Sequence, residues 1–232
     1  MHRLGRVIIG AAAVGFACLI YLYLTLPDVR PLRTTNPPET AFMQLRAEQA
    51  RARGETPQRR QRWVSYAHIA SDLKRAVLVA EDDAFWQHEG VDVTQMREAL
   101  EEDLQRGRMV RGASTITQQL AKNLYLSPSR NPVRKIEELI LARRLEATLS
   151  KRRIFELYLN VIEWGDGIYG AEAASEAYFH KPASALTPDE AALLAGAIIN
   201  PRRYNPARPP ARLLRRQRLI LRRMGVMEPP DS

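Results

Sequence analysis

The 232-residue sequence predicts a mainly α domain, and three observations carry that prediction. Apolar residues recur at helical spacing through most of the chain after Trp63. Helix-start signals recur: Ser150, the pair Asn131-Pro132 and the box Thr187-Pro188-Asp189-Glu190. No stretch alternates apolar and polar residues as a half-buried strand would, and no internal repeat is present.

The elements follow in chain order. Residues 7–26 carry no charge, and ~20 helical residues span the roughly 30 Å apolar core of a bilayer. No small-residue cleavage site follows directly, so the run reads as an uncleaved transmembrane anchor behind a cytoplasmic tail, 1–6. His2, Arg3 and Arg6 favour a cytoplasmic N-terminus, although Arg30 and Arg33 on the far side oppose this. Residues 27–62, broken by Pro27, Pro31, Pro37 and Pro38, read as a linker holding one amphipathic helix over 39–53. The domain proper is expected over 63–232.

Within it, Ser71 is the expected cap of a helix ending at 81–83. A charged amphipathic segment covers 94–105 and a loop 106–113. A helix starting near Ser114 would place Thr115, Gln119 and Lys122 on one face. Further helices are expected from Asn131 to about Leu149, after Ser150 through Val161, over 171–179, over 191–199 and over 211–223.

The formal charge is +9, and 30 of the 35 basic residues are arginine, since only five are lysine. Such a balance fits nucleic acid, anionic lipid or a phosphorylated substrate. An extracytoplasmic domain argues against nucleic acid. The single cysteine, Cys18, lies in the apolar run, so no intrachain disulfide and no cysteine metal site can form in the domain.

Three clusters can carry chemistry. Glu81-Asp82 ends an apolar helix, where partial desolvation raises a carboxyl pKa and suits a general base; Phe85 and His88 follow. The face with Thr115, Gln119 and Lys122, beside Ser114 and Asn123, holds hydroxyls, amides and a cation but no carboxylate, which suits an anion rich in oxygens. Arg134 and Lys135 open a helix, where cations are unfavourable unless an anion binds, and Glu138 lies within reach of both. No metal-ligand spacing is present.

In their order and spacing, Glu81-Asp82-x-x-Phe85-x-x-His88-x-Gly90, Gly112-x-Ser114-Thr115-Ile116-Thr117-Gln118-Gln119-Leu120-x-Lys122-Asn123, Arg134-Lys135-x-x-Glu138 and Lys151-x-x-Ile154-x-Glu156-x-Tyr158-Leu159-Asn160 resemble the peptidoglycan glycosyltransferases of the penicillin-binding protein type, glycosyltransferase family 51. The resemblance covers about residues 63–206. Ala113 stands where that family often has a second glycine. No transpeptidase domain follows in these 232 residues, so the monofunctional branch of the family is expected.

The resemblance implies a lysozyme-like fold with a membrane-associated jaw around 93–110, and polymerisation of lipid II into β-1,4 glycan with inversion and release of undecaprenyl pyrophosphate. It implies Glu81 as catalytic base and Glu138 as second catalytic carboxylate. Asp82, Phe85, His88, Ser114, Thr115, Gln119, Lys122, Asn123, Arg134 and Lys135 are implied as substrate-binding. No cofactor is required by it, beyond a divalent cation that could accompany the pyrophosphate. The implied partners are lipid II, the growing glycan, the bacterial inner membrane with the domain on its periplasmic side, and other cell wall synthesis proteins. The competing readings are a hydrolase or lytic transglycosylase that cuts glycan, and a membrane-anchored scaffold.

Overall fold

The computed structural model describes residues 2–106, 114–126 and 132–225. The loop expected over 106–113 falls almost wholly outside these, as do the Asn131 cap and Ala113. The described chain is mainly helical, as the periodicity predicts.

Helix α1 runs over His2–Thr25. Its apolar side chains include exposed Ile9, Val14, Phe16 and Leu24. The side chains of residues 2–8, 11, 18 and 19 lie outside the description, and among the described residues no helix is long and apolar enough to cross a membrane.

Residues 27–62 differ from the expected linker: they are folded onto the domain. Val29, Leu32 and Met43 are buried in the main core. Thr40 caps α2, Ala41–Ala52, by accepting from the Met43 N–H. Arg46 of α2 reaches Glu163 at 2.8 Å, and Arg153 donates to the Leu32 carbonyl at 2.8 Å. Prolines and charges mask this from a local reading, because few apolar side chains anchor the segment and the helices they pack on come much later in the chain.

Three elements meet around the site. α3, Ser71–Glu81, buries Leu73, Ala76, Val77, Leu78 and Val79. Its cap residue is Ala70, one place before the expected Ser71. α4 covers Val93–Arg106 and exposes Val93 and Met96. α5, Ile116–Tyr125, is central: Ile116, Leu120, Ala121 and Leu124 are buried, and it packs against α2 and the next two helices. These are α6, Pro132–Thr148, and α7, Lys151–Val161, whose Ser150 cap accepts from the Arg153 N–H as predicted.

The expectation of no strands fails in one place. Glu163–Gly165 (β2) pairs antiparallel with Ile168–Tyr169 (β3), and Arg60–Gln61 (β1) pairs parallel with β3. Two or three residues are too few to show alternation. The cue was the Asp166-Gly167 turn, where Gly167 takes φ +69° and an added Cβ would sit 2.7 Å from the Gln58 carbonyl oxygen.

The last helices are α8, Ala171–Phe179, α9, Pro188–Ala197, and α10, Ala211–Met224. The Thr187/Glu190 capping box opens α9. α9 and α10 both pack on α3, which brings the arginine-rich α10 to the end of α3 that carries Glu81.

Candidate active site

The site lies where α3 ends and α5 begins. The helix of α3 closes at Glu81, and Asp82 leaves it in an extended conformation with its N–H on the Leu78 carbonyl. Asp82 then turns inward. Its Oδ2 accepts from the Ile116 N–H at 2.9 Å, the first N–H of α5, where the helix dipole favours a negative charge. Its Oδ1 meets His88 Nε2 at 3.0 Å. His88 Nδ1 accepts from the Gly90 N–H at 3.1 Å, so the imidazole hydrogen lies on Nε2 and is donated to Asp82. The Gly90 carbonyl takes the Thr115 hydroxyl at 2.7 Å, and Thr115 caps α5 in a capping box with Gln118. Gly90 has φ +84°, and an added Cβ would fall 2.9 Å from Glu146 Cγ, so glycine is required for the loop to come this close.

Four of the residues expected to bind substrate take part in this closed ring or pack beside it. Asp82, His88 and Thr115 have their polar atoms engaged with protein, and Asp82 and Thr115 are buried. Phe85 is wholly buried among Trp86, Phe155 and the ammonium of Lys151. They hold the ends of α3 and α5 in register. The helix begins at Ile116, two residues later than expected, so Thr115 caps it instead of lying on the helical face that bears Gln119 and Lys122.

Glu81 points the other way from Asp82. Its Oε2 accepts from Gln119 Nε2 at 3.0 Å, and its Oε1 lies 3.5 Å from Arg216 Nη2 of α10. Burial pushes the Glu81 carboxyl above the usual range, against the pull of the Gln119 hydrogen bond, Arg216 and Lys122 and with the push of Asp82. Gln119 is itself held: Tyr158 of α7 donates its hydroxyl to Gln119 Oε1 at 2.9 Å. The Asn123 amide donates to the Gln119 backbone carbonyl at 2.8 Å, which ties one of its hydrogens to the helix.

The second half of the site faces Lys122, one turn beyond Gln119. Burial lowers the Lys122 pKa; Glu138 opposes this, while Arg134 and Lys135 add to it. The three cations therefore share one neighbourhood. Glu138 is buried and takes a short hydrogen bond from Lys135, while Arg134 Nη1 stands 3.8 Å from its other oxygen. Arg134 keeps buried Nε and Nη1 atoms with no hydrogen-bond partner. Unpaired buried donors are costly. Three cations around one carboxylate, two of them on the first turn of α6, leave an excess of positive charge that an anion would neutralise. Ser114 lies at the entrance to α5, with its carbonyl 3.4 Å from Gln119 Nε2. Among the described residues no group of three or more His, Cys, Asp or Glu could hold a metal ion.

The structure thus brings together Glu81, Gln119, Lys122, Arg134, Lys135 and Glu138, and adds two residues that the sequence reading did not assign. Tyr158 stood inside a motif block without a role. Arg216 is one of six arginines on α10, and no spacing separates it from Arg215 or Arg218.

The family profile described as Transglycosylase matches residues 48–225, from within α2 to the end of α10. A protein named "Biosynthetic peptidoglycan transglycosylase" from Laribacter hongkongensis (strain HLHK9) is 47% identical over 95% of this chain and 97% of its own length. A protein of the same name from Azoarcus sp. (strain BH72) is 48% identical over 87% of this chain and 86% of its own. A third, from Aromatoleum aromaticum (strain DSM 19018 / LMG 30748 / EbN1), reaches 52% over 73% of this chain and 74% of its own. With the match spanning every element that builds the cleft, the chain belongs to the transglycosylase family.

Proposed function

We infer that this protein is a peptidoglycan glycosyltransferase of cell wall synthesis that polymerises lipid II. One observation carries the reading: a desolvated carboxylate, Glu81, shares one face of α5 with a cation cluster that is not neutralised internally. Glu81 takes the proton from the 4-hydroxyl of the acceptor N-acetylglucosamine. That oxygen attacks the anomeric carbon of the donor N-acetylmuramic acid from the face opposite the pyrophosphate. The new C–O bond forms as the bond to the pyrophosphate breaks, which inverts an α linkage to β-1,4. The undecaprenyl pyrophosphate leaves as an anion, and Lys122, Arg134 and Lys135 meet its charge. A good leaving group needs no acid to protonate it, so Glu138 orders the cations instead of donating a proton. If a divalent cation accompanies the pyrophosphate, Glu138 is the carboxylate among those cations.

The raised pKa of Glu81 would also suit the general acid of a glycan-cleaving enzyme. Such an enzyme has no use for the cation cluster, which favours transfer from a pyrophosphate.

The uncharged run 7–26 and the helix through it support α1 as an anchor in the bacterial inner membrane, with the domain on the periplasmic side. α4 would then belong to the membrane-associated jaw that admits a lipid-linked substrate. The test is turnover of purified full-length protein with lipid II in detergent or vesicles. Long glycan strands are expected. Release of fragments from finished peptidoglycan, with no polymer formed, would overturn the reading in favour of a lytic enzyme.

A further inference from the structure

We propose that Tyr158 is a positioning residue: its buried hydroxyl fixes the Gln119 carboxamide so that the amide N–H, and not the amide oxygen, faces Glu81. The proposal deepens the functional reading, since it rests on Glu81 as the base.

A carboxamide can rotate by half a turn with little change of shape, so its partners decide its orientation. Gln119 Nε2 stands between two acceptors, Glu81 Oε2 at 3.0 Å and the Ser114 carbonyl at 3.4 Å. Gln119 Oε1 has the Tyr158 hydroxyl at 2.9 Å. Tyr158 is fully buried, and burial together with Glu81 and Asp82 pushes its pKa well above the ordinary value, so it keeps its proton and donates. Without that donor, Oε1 becomes a buried carbonyl with no partner, which is costly. The flipped amide then competes, and in it Oε1 accepts a hydrogen bond from the O–H of a neutral Glu81 carboxyl.

The wild-type orientation therefore favours ionised Glu81, and the flipped one favours the protonated acid, which is useless as a base. The other groups facing Glu81 do not discriminate between the two orientations. Lys122 comes from the same helix as Gln119, Arg216 comes from α10 and Asp82 lies alongside, and their charges are the same in both.

The experiment is a carbon-13 titration of the Glu81 carboxyl in the full chain in detergent, assigned by its loss in Glu81→Gln. Tyr158→Phe is expected to move the Glu81 midpoint to higher pH. In a Gln119→Met background the same substitution is expected to do nothing, because Tyr158 acts through Gln119. An unmoved midpoint, or an equal movement in both backgrounds, overturns the proposal. The unsubstituted protein gives a check that does not depend on a variant folding: the Gln119 side-chain amide protons should titrate with Glu81, and failure to do so also overturns it. None of these readouts uses lipid II, so polymerisation by the wild type tests the functional reading separately.

Discussion

Two partly buried arginines, Arg46 and Arg134, set the outer face of α2 against the cleft beside α5. Arg46 is closed: Nε and Nη2 both reach Glu163 Oε2, at 3.1 and 2.8 Å, and Nη1 donates to Gln49 at 3.0 Å. Nearby, Arg59 meets Glu39 and Arg202 meets Asp166, so this face pairs its charges. Arg134 is open: its carboxylate stands at 3.8 Å, is shared with Lys135, and leaves Nε and Nη1 without partners. Arg46 is saturated by the fold, whereas Arg134 keeps two donors in reserve. The same holds for the carboxylates. Asp82 is held by a helix N-terminus and a histidine, whereas Glu81, the residue before it, has only a neutral amide and a guanidinium at 3.5 Å.

The sharpest way to break this contrast is at Glu81. Glu81→Gln is expected to cost roughly 10²–10⁴ in glycan polymerisation, the range for loss of a general base. It should at the same time raise the melting temperature near neutral pH. The folded-state pKa is raised by burial, so the folded protein binds more protons than the unfolded one. The group therefore costs stability that grows as pH rises above the ordinary glutamate range, and the glutamine removes that cost. Thermal melts across pH for both proteins check the sign; a variant that is inactive and also less stable at neutral pH would make Glu81 structural.

The arginines come next. Arg134→Met is expected to lower kcat/KM about 10²–10³-fold, the loss for one charge-stabilising donor, with stability unchanged within about 0.5 kcal/mol. Arg46→Met should do the reverse: leave kcat/KM in place and cost about 3 kcal/mol, because Glu163 stays buried without its partner. Burial already raises the Glu163 pKa against the pull of Arg46, so the loss should ease as pH falls and the carboxyl takes up a proton. Urea melts and initial rates measured side by side settle both. Equal effects of the two substitutions would erase the distinction between open and closed arginines.

The smallest expected effect is the most direct. Inorganic pyrophosphate at about ten times its dissociation constant should stabilise the wild type and Arg46→Met by ~1.4 kcal/mol, a melting shift of about 3–6 °C. Arg134→Met should lose that shift.

What could be read locally was read well. The Thr187/Glu190 box, the Ser150 cap and the Arg134–Lys135–Glu138 cluster each depend on residues three or four apart, and such spacings translate directly into contact on a helix. The desolvation of Glu81 was also legible, because an apolar helix end next to an aromatic run implies burial. What failed was long-range. Arg216 reaches Glu81 from 135 residues away, β1 pairs with β3 across the whole domain, and Val29 and Leu32 enter a core built by later helices.

By itself, then, the sequence determined the helices, the Ser150 and Thr187 caps and the supply of chemistry: a carboxylate pair at 81–82, an amide-and-lysine face, and a basic pair with its own glutamate. Only the tertiary structure decided how those groups divide the work. Neighbouring carboxylates look alike in sequence, and so do the arginines of α10. Their roles depend on which donors other elements bring to them, and that is set by packing between helices and not by spacing along one.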